Sequence, residues 1–113
     1  MTVSPVSESL LDHVYGALAN ATRRGIVLTL ASRPATVGQL SKEHHVSLPS
    51  LHRHIRVLEE AHLLQRKKVG RTNFVAIDRK GLKIAQGWLA QYYTDWGSER
   101  ETLENYITSL TNK

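Results

Sequence analysis

Between Ser47 and Ile77 the chain reads SLPSLHRHIRVLEEAHLLQRKKVGRTNFVAI, with three histidines and six Lys or Arg in one stretch. Imidazoles can ligate a metal or move a proton, whereas cations interleaved with a repeating apolar pattern can lie against phosphates. Spacing separates the two chemistries. On a helix His52 and His54 diverge by about 200° and the neighbours His44 and His45 by about 100°, so neither pair chelates as a unit. His13 stands alone and could be joined only by a symmetry mate. The chain has no cysteine, which removes thiolate metal sites, disulfides and thiol switches. No Gly-rich phosphate loop, nucleophile elbow or carboxylate pair set among apolar residues occurs, so no catalytic residue, metal site or other cofactor is expected. The chain does not read as an enzyme.

Charge points toward a polyanion. Net charge is +5, but residues 20–83 hold thirteen Lys or Arg against Glu43, Glu59, Glu60 and Asp78, a local balance of +9, and the remainder carries −4. A basic centre with neutral or acidic ends suits nucleic acid, because each neutralised phosphate releases counterions. The 113 residues are enough for one domain with a modest core. No run approaches the ~20 apolar residues of a membrane span, and the N-terminus lacks a basic start followed by an apolar core. A cytoplasmic protein with no membrane partner is expected.

These residues must be positioned by helices and a hairpin. Leu10, Leu11, Val14, Ala17 and Leu18 have helical spacing, with Ser7 or Ser9 as cap. Asn20 can cap ATRRGIVLTLAS, which turns Ile26, Val27 and Leu30 inward and stops before Pro34. Thr36 caps a short helix with Val37 and Leu40 inward. Val46 and Ser47 then make a turn into a fourth helix, with Pro49 in its first turn. In projection Leu51, Ile55, Leu58 and His62 gather on one side, and Pro49, His52, Arg53, Arg56 and Glu60 on the other. Its acids come last, as suits a helix that reads base edges with its first turns. His54 borders the apolar face and is expected to satisfy a backbone group or touch phosphate. LLQRKKV and TNFVAI, separated by Gly70 and Arg71, form a hairpin with a basic tip. A basic hairpin directly after a helix-turn-helix is a winged helix, whose wing grips phosphate backbone or the minor groove.

Past Arg79, Leu82, Leu89, Trp96, Leu103 and Leu110 lie seven apart, and Ala85, Tyr92, Glu99 and Tyr106 form a second series offset by three. This predicts one long C-terminal helix with a heptad seam passing through Gly97 and Ser98. The seam is expected to meet its own copy, or the first helix, in a second chain of a two-fold homodimer. Leu10, Leu11, Val14, Leu82, Ala85, Leu89, Tyr92, Trp96, Leu103, Tyr106 and Leu110 would form that interface. The alternative is that Gly97 splits the helix into two that fold back on their own domain. Trp88, Tyr92, Tyr93 and Trp96 either pack the dimer or line an apolar pocket between subunits.

ALANATRRGIVLTLAS resembles the second-helix signature of the ArsR family of dimeric winged helix-turn-helix transcriptional repressors. TVGQLSKEHHVSLPSLHRHIRVLEEAHLLQRKKVGRTNFVAID is similar to that family's helix-turn-helix and wing, and the likeness spans roughly residues 8–96. It implies an operator-bound dimer that represses transcription until a signal alters it. Ser47, Ser50, His52 and Arg53 would then be base or phosphate contacts, and Arg56, Arg66, Lys67, Lys68, Arg71 and Asn73 phosphate or wing contacts. Arg24 matches the family's second-helix arginine, a structural or phosphate-facing residue. His52 departs from the pattern, which has a small hydroxyl residue there. Metal-sensing relatives use cysteines in the third helix or Asp and His in the last; neither set is present.

The expected architecture is mostly α with a small β-hairpin wing, a single winged helix-turn-helix domain over 1–113. Residues 36–62 form the helix-turn-helix and 63–77 the wing, while 1–19 and 79–110 form long terminal dimerisation helices. The expected function is a homodimeric repressor on a pseudo-palindromic duplex. Two other readings stay open: a winged-helix protein-interaction module, and a metal-responsive repressor with an unusual His site. Any small-molecule or protein effector is unknown.

Overall fold

In the computed structural model, which describes residues 5–92 and 102–112, side-chain oxygens set the start of five helices. Helix α1 (Pro5–Leu18) begins at a proline, two residues before the expected Ser7. For α2 (Ala21–Ser32) the Asn20 side chain accepts from the Arg23 amide at 3.0 Å. Thr36 and Gln39 cap α3 (Val37–His44) reciprocally. Ser47 caps α4 (Leu48–Glu60), Asp78 caps α5 (Arg79–Ala90) and Thr102 caps α6 (Leu103–Thr111). Each such oxygen satisfies an amide with no intrahelical partner and contributes about 1 kcal/mol.

Two histidines end helices. His45 (φ 52°) follows α3 and His62 (φ 53°) follows α4, both in the left-handed region. Behind them Val46 N–H donates to Ser41 O at 3.1 Å and Leu63 N–H to Leu58 O at 2.9 Å. These bonds close each helix end in the same way and fix the direction in which the chain leaves. His62, expected on the apolar side of the fourth helix, therefore lies beyond its end.

The wing is the antiparallel pair β2 (Leu64–Val69) and β3 (Thr72–Ile77), in register Val69↔Thr72. Gly70 takes φ 62° at the first position of the two-residue turn, where hairpin twist favours a glycine. A two-residue strand, β1 (Ala35–Thr36), pairs with the other edge of β3, giving the order β1-β3-β2. Sequence pattern did not reveal β1, because two residues carry no periodicity. Val14, Ile26, Leu40, Leu51, Ile55, Leu58, Leu63 and Val75 are the largest fully buried side chains and come from α1 through α4, the link from α4 to β2, and the sheet.

The C-terminal third departs from expectation. α5 ends at Ala90, and Thr102 is extended (φ −115°, ψ 159°) where a continuous helix would need helical angles. Among the described seam positions, Leu82, Ala85 and Leu89 lie on α5 and Leu103, Tyr106 and Leu110 on α6. Tyr93, Trp96, Gly97, Ser98 and Glu99 lie outside the described residues. Val14 and Ala85, expected between subunits, belong to the core of the single chain. The reason is that α5 packs on α1 of its own chain: Tyr15 Oη donates to Ala85 O at 2.8 Å, and the Tyr15 and Trp88 rings meet edge to face at 5.8 Å. Leu10 and Leu82 are half-buried against the same core, and Leu11 is half-buried.

The start of α5 is held against the end of α4. Asp78 N–H donates to Leu63 O and Gly81 N–H to His62 O, each at 2.8 Å. A Cβ on Gly81 would stand 2.8 Å from His62 O and still nearer Ala61 O, both rigid backbone atoms. Gly81→Ala should therefore destabilise the fold by about 1–3 kcal/mol, read as a lower midpoint in urea. An unchanged midpoint would mean that α5 is not held this closely.

Candidate nucleic-acid interface

Burial fixes the rotation of α4. Leu51, Ile55 and Leu58 are fully enclosed, and each buried side chain of this size stabilises the packing by about 1.5–3 kcal/mol. The opposite arc is exposed and carries Pro49, Arg53 and Arg56, with Glu60 at the far end. Ser47 is exposed at the N-terminus and accepts from the Ser50 amide at 3.4 Å, so its hydroxyl proton remains available to an acceptor. The Arg53 guanidinium donates to Ser50 Oγ at 3.2 Å. The polar arc toward the first turns of α4 thus joins a hydroxyl pair, two arginines and the positive end of the helix dipole.

The other residues expected at the interface separate by edge. His52 lies on the edge that faces the wing, where its Nδ1 is 3.4 Å from Arg66 Nη1. His54 lies on the opposite edge, its Nδ1 3.4 Å from Arg23 Nη1. It meets a guanidinium rather than the expected backbone group. Partial burial, followed by the cations Arg23 and Arg53, holds its pKa below the ordinary histidine value. Arg23 also donates to Ala17 O at 2.7 Å and Gly16 O at 3.2 Å, while Arg24 donates to Leu18 O at 2.8 Å. Both arginines of the TRR run therefore cap the C-terminal carbonyls of α1, where cations oppose the helix dipole. Arg23 additionally ties α1 to the reading helix. Sequence reasoning missed this role, whose one local sign was a cation three residues after the Asn20 cap.

Hairpin register divides the wing cations. Leu64, Arg66 and Lys68 share a face with Ile77, Val75 and Asn73, the face that is buried at its base and turned toward α4. Lys67 points the other way, opposite Phe74, and with Pro34, Gln65 and Ala76 it borders an open hollow of about 270 Å³. Arg71 occupies the turn. Arg66, expected as a phosphate or wing contact, donates from Nη2 to Glu59 Oε1 at 2.8 Å within the domain. With both side chains partly solvated, that pair adds at most about 1 kcal/mol to stability; its effect is to join wing to helix.

Two further histidines are occupied within the domain: His13 Nδ1 lies 2.7 Å from Ser9 O, and His44 Nε2 3.0 Å from Thr29 Oγ1. Among the described residues no three His, Asp or Glu side chains gather as a metal site, and no helix is long and apolar enough to cross a membrane.

A helix-turn-helix with a basic reading face and a hairpin wing beside it defines a winged-helix DNA-binding regulator. Comparison with known proteins agrees. A family model described as a helix-turn-helix domain matches residues 18–66. The chain is 35% identical over 83 residues to the HTH-type transcriptional regulator Rv2034 of Mycobacterium tuberculosis, covering 74% of this chain and 78% of that protein. It is 22% identical over 82 residues to the transcriptional repressor SdpR of Bacillus subtilis, covering 73% and 91%. The crystal structure of an ArsR family transcriptional regulator superposes with a TM-score of 0.76 at 33% identity, covering 88% of this chain and 99% of that one. The chain belongs to the ArsR family of winged helix-turn-helix transcriptional regulators.

The His54 environment makes stability depend on pH. Because the folded state depresses its pKa, the unfolded chain takes up the proton first. The His54 contribution is full above the unfolded value of about 6.5 and is lost as pH falls through the lower folded value. Thermal unfolding of His54→Gln should accordingly lose less midpoint on acidification than the parent does between about pH 7.5 and 5. Parallel curves would mean that Arg23 and burial do not act on this ring.

Proposed function

We propose that the protein is a homodimeric repressor that binds a pseudo-palindromic operator in the cytoplasm, with one α4 in each of two successive major-groove segments. The observation that carries this reading is the alignment of cations on one side of the domain: Arg53 and Arg56 on the outward arc of α4 and Lys68 on the wing face turned toward that helix. Arg53 and Ser50, near the start of α4, are assigned to base edges or adjacent phosphates. Ser47 is assigned to phosphate at the helix N-terminus. Arg56, Lys68, Arg71 and Asn73 are assigned to backbone. His54, turned toward Arg23, is assigned no DNA contact.

Dimerisation is supported by apolar side chains that stand exposed among the described residues. Trp88, Leu89 and Tyr92 are exposed at the end of α5. On α6, Leu103, Tyr106, Ile107 and Leu110 form a stripe at spacings of three and four, and every described residue of that helix is exposed. A second copy of the same surfaces would cover them by two-fold symmetry and set the two α4 helices about one DNA turn apart.

The test is selection of random duplexes by the purified protein at two salt concentrations, followed by sequencing. An inverted repeat whose retention falls steeply with salt is expected; retention without a motif would leave only an electrostatic grip. Lys68→Ala should reduce the slope of log K against log salt by about one unit, while Lys67→Ala, on the far face, should leave it nearly unchanged. A slope unchanged from the parent in both variants would place the wing away from the DNA, and an equal fall in both would overturn the assignment of Lys67 to the far face. Leu103 is exposed in the chain, so Leu103→Glu should leave the domain folded but yield monomers in sedimentation and lose tight binding. A dimer that survives this change would exclude α6 from the interface.

A further inference from the structure

Building on the proposed operator binding, we infer that Arg66 is a positioning residue that fixes His52 as a hydrogen-bond donor to one base, making His52 a determinant of operator sequence.

His52 and Glu59 are seven residues apart on α4, within about 20° of each other around the helix. Arg66 reaches both from β2, donating from Nη2 to Glu59 Oε1 at 2.8 Å and setting Nη1 3.4 Å from His52 Nδ1. A guanidinium only donates and does not deprotonate. In this contact Nδ1 must therefore be the acceptor, and the ring proton resides on Nε2. Among the described residues no hydrogen bond occupies Nε2, and the ring is only half-buried on the edge of the reading helix that faces the wing. The fork of one guanidinium thus orients the ring and selects its tautomer, as partners of functional histidines do elsewhere.

The same geometry argues against Arg66 as a phosphate contact, since its charge is already met by Glu59 at 2.8 Å. A fixed Nε2–H in the major groove favours acceptors: guanine O6 and N7, which lie side by side, or thymine O4. It disfavours cytosine, whose N4 amino group is itself a donor. Without Arg66 the ring can rotate and exchange tautomers, and the preference relaxes.

Two measurements test the assignment. The first repeats the random-duplex selection with His52→Ala, His52→Gln and Arg66→Gln. The parent should prefer guanine or thymine over cytosine at one half-site position by on the order of tenfold. His52→Ala and Arg66→Gln should both bring that same position near parity. His52→Gln, whose amide nitrogen takes the place of Nε2, should retain the preference. The salt slope of Arg66→Gln should match the parent, whereas loss of a phosphate contact would lower it by about one unit. The second measurement reads the nitrogen-15 shifts of the His52 ring in the free protein at about pH 8, where the Nε2–H form is expected in the parent and a mixture in Arg66→Gln. If the parent selects no motif, operator binding itself is overturned. If the parent selects a motif whose every position survives Arg66→Gln, or the ring carries its proton on Nδ1, the assignment of His52 and Arg66 is overturned while operator binding stands.

Discussion

The stripe formed by Leu51, Ile55 and Leu58 sets the rotation of α4 about its own axis, because these side chains are enclosed by α1, α2, α3 and the sheet. A turn of the helix by one residue, about 100°, would bring His52 and Glu59 into that core and expose the apolar stripe. Burying either unpaired would cost several kcal/mol. Everything assigned to DNA recognition follows from this one constraint. Arg53 and Arg56 face outward because they are opposite the buried stripe, His52 meets the wing and His54 meets α2 because they flank it.

Around that helix the cations divide into two sets. Arg23, Arg24 and Arg66 have definite partners within the domain: the carbonyls at the end of α1, His54, Glu59 and His52. They orient the reading helix and its wing. Arg56, Lys68 and Arg71 are exposed, and among the described residues Arg53 bonds the nearby Ser50 hydroxyl, so these are the groups that the proposed operator binding assigns to DNA. The basic patch is thus smaller than the count of Lys and Arg suggests, and its centre is better defined. The histidines divide similarly. His45 and His62 end helices, while His13, His44 and His54 bond neighbours within the domain. His52 alone of the reading helix's two imidazoles is set toward the wing.

The terminal helices serve two tasks that a heptad count merges into one. The first part of α5 completes the domain by packing on α1, anchored by Tyr15 and by the close approach of Gly81 to the end of α4. Its last turn and α6 carry aromatic and aliphatic side chains that stand exposed among the described residues. Apolar patches of this kind on a small protein commonly mark interaction surfaces. Folding of the domain and the proposed pairing of subunits therefore rest largely on different residues, with Trp88 at the edge of both, and a change such as Leu103→Glu touches only the second.

Local chemistry was sufficient for α1 to α4 and the hairpin of the wing, though not for β1 or for the division of the C-terminal third into α5 and α6. Asn20 and Thr36 cap the helices that their sequence positions predicted, Pro49 lies in the first turn of α4, Gly70 makes the turn of the wing, and the spacing of Leu51, Ile55 and Leu58 identifies the buried face. Each of these depends on contacts within a few residues, so they were legible from spacing alone. Partnerships across the fold were not. The Arg66 bridge to His52 and Glu59, the Arg23 link from α1 to His54, and the opposite faces of Lys67 and Lys68 all depend on how separate elements come together. A seven-residue apolar repeat states that a helix face will be covered, yet it cannot say by which surface. Only the packing of α5 on α1 decided that Val14 and Ala85 belong to the core of one chain, because burial within the chain needs no second copy and is complete once the domain has folded.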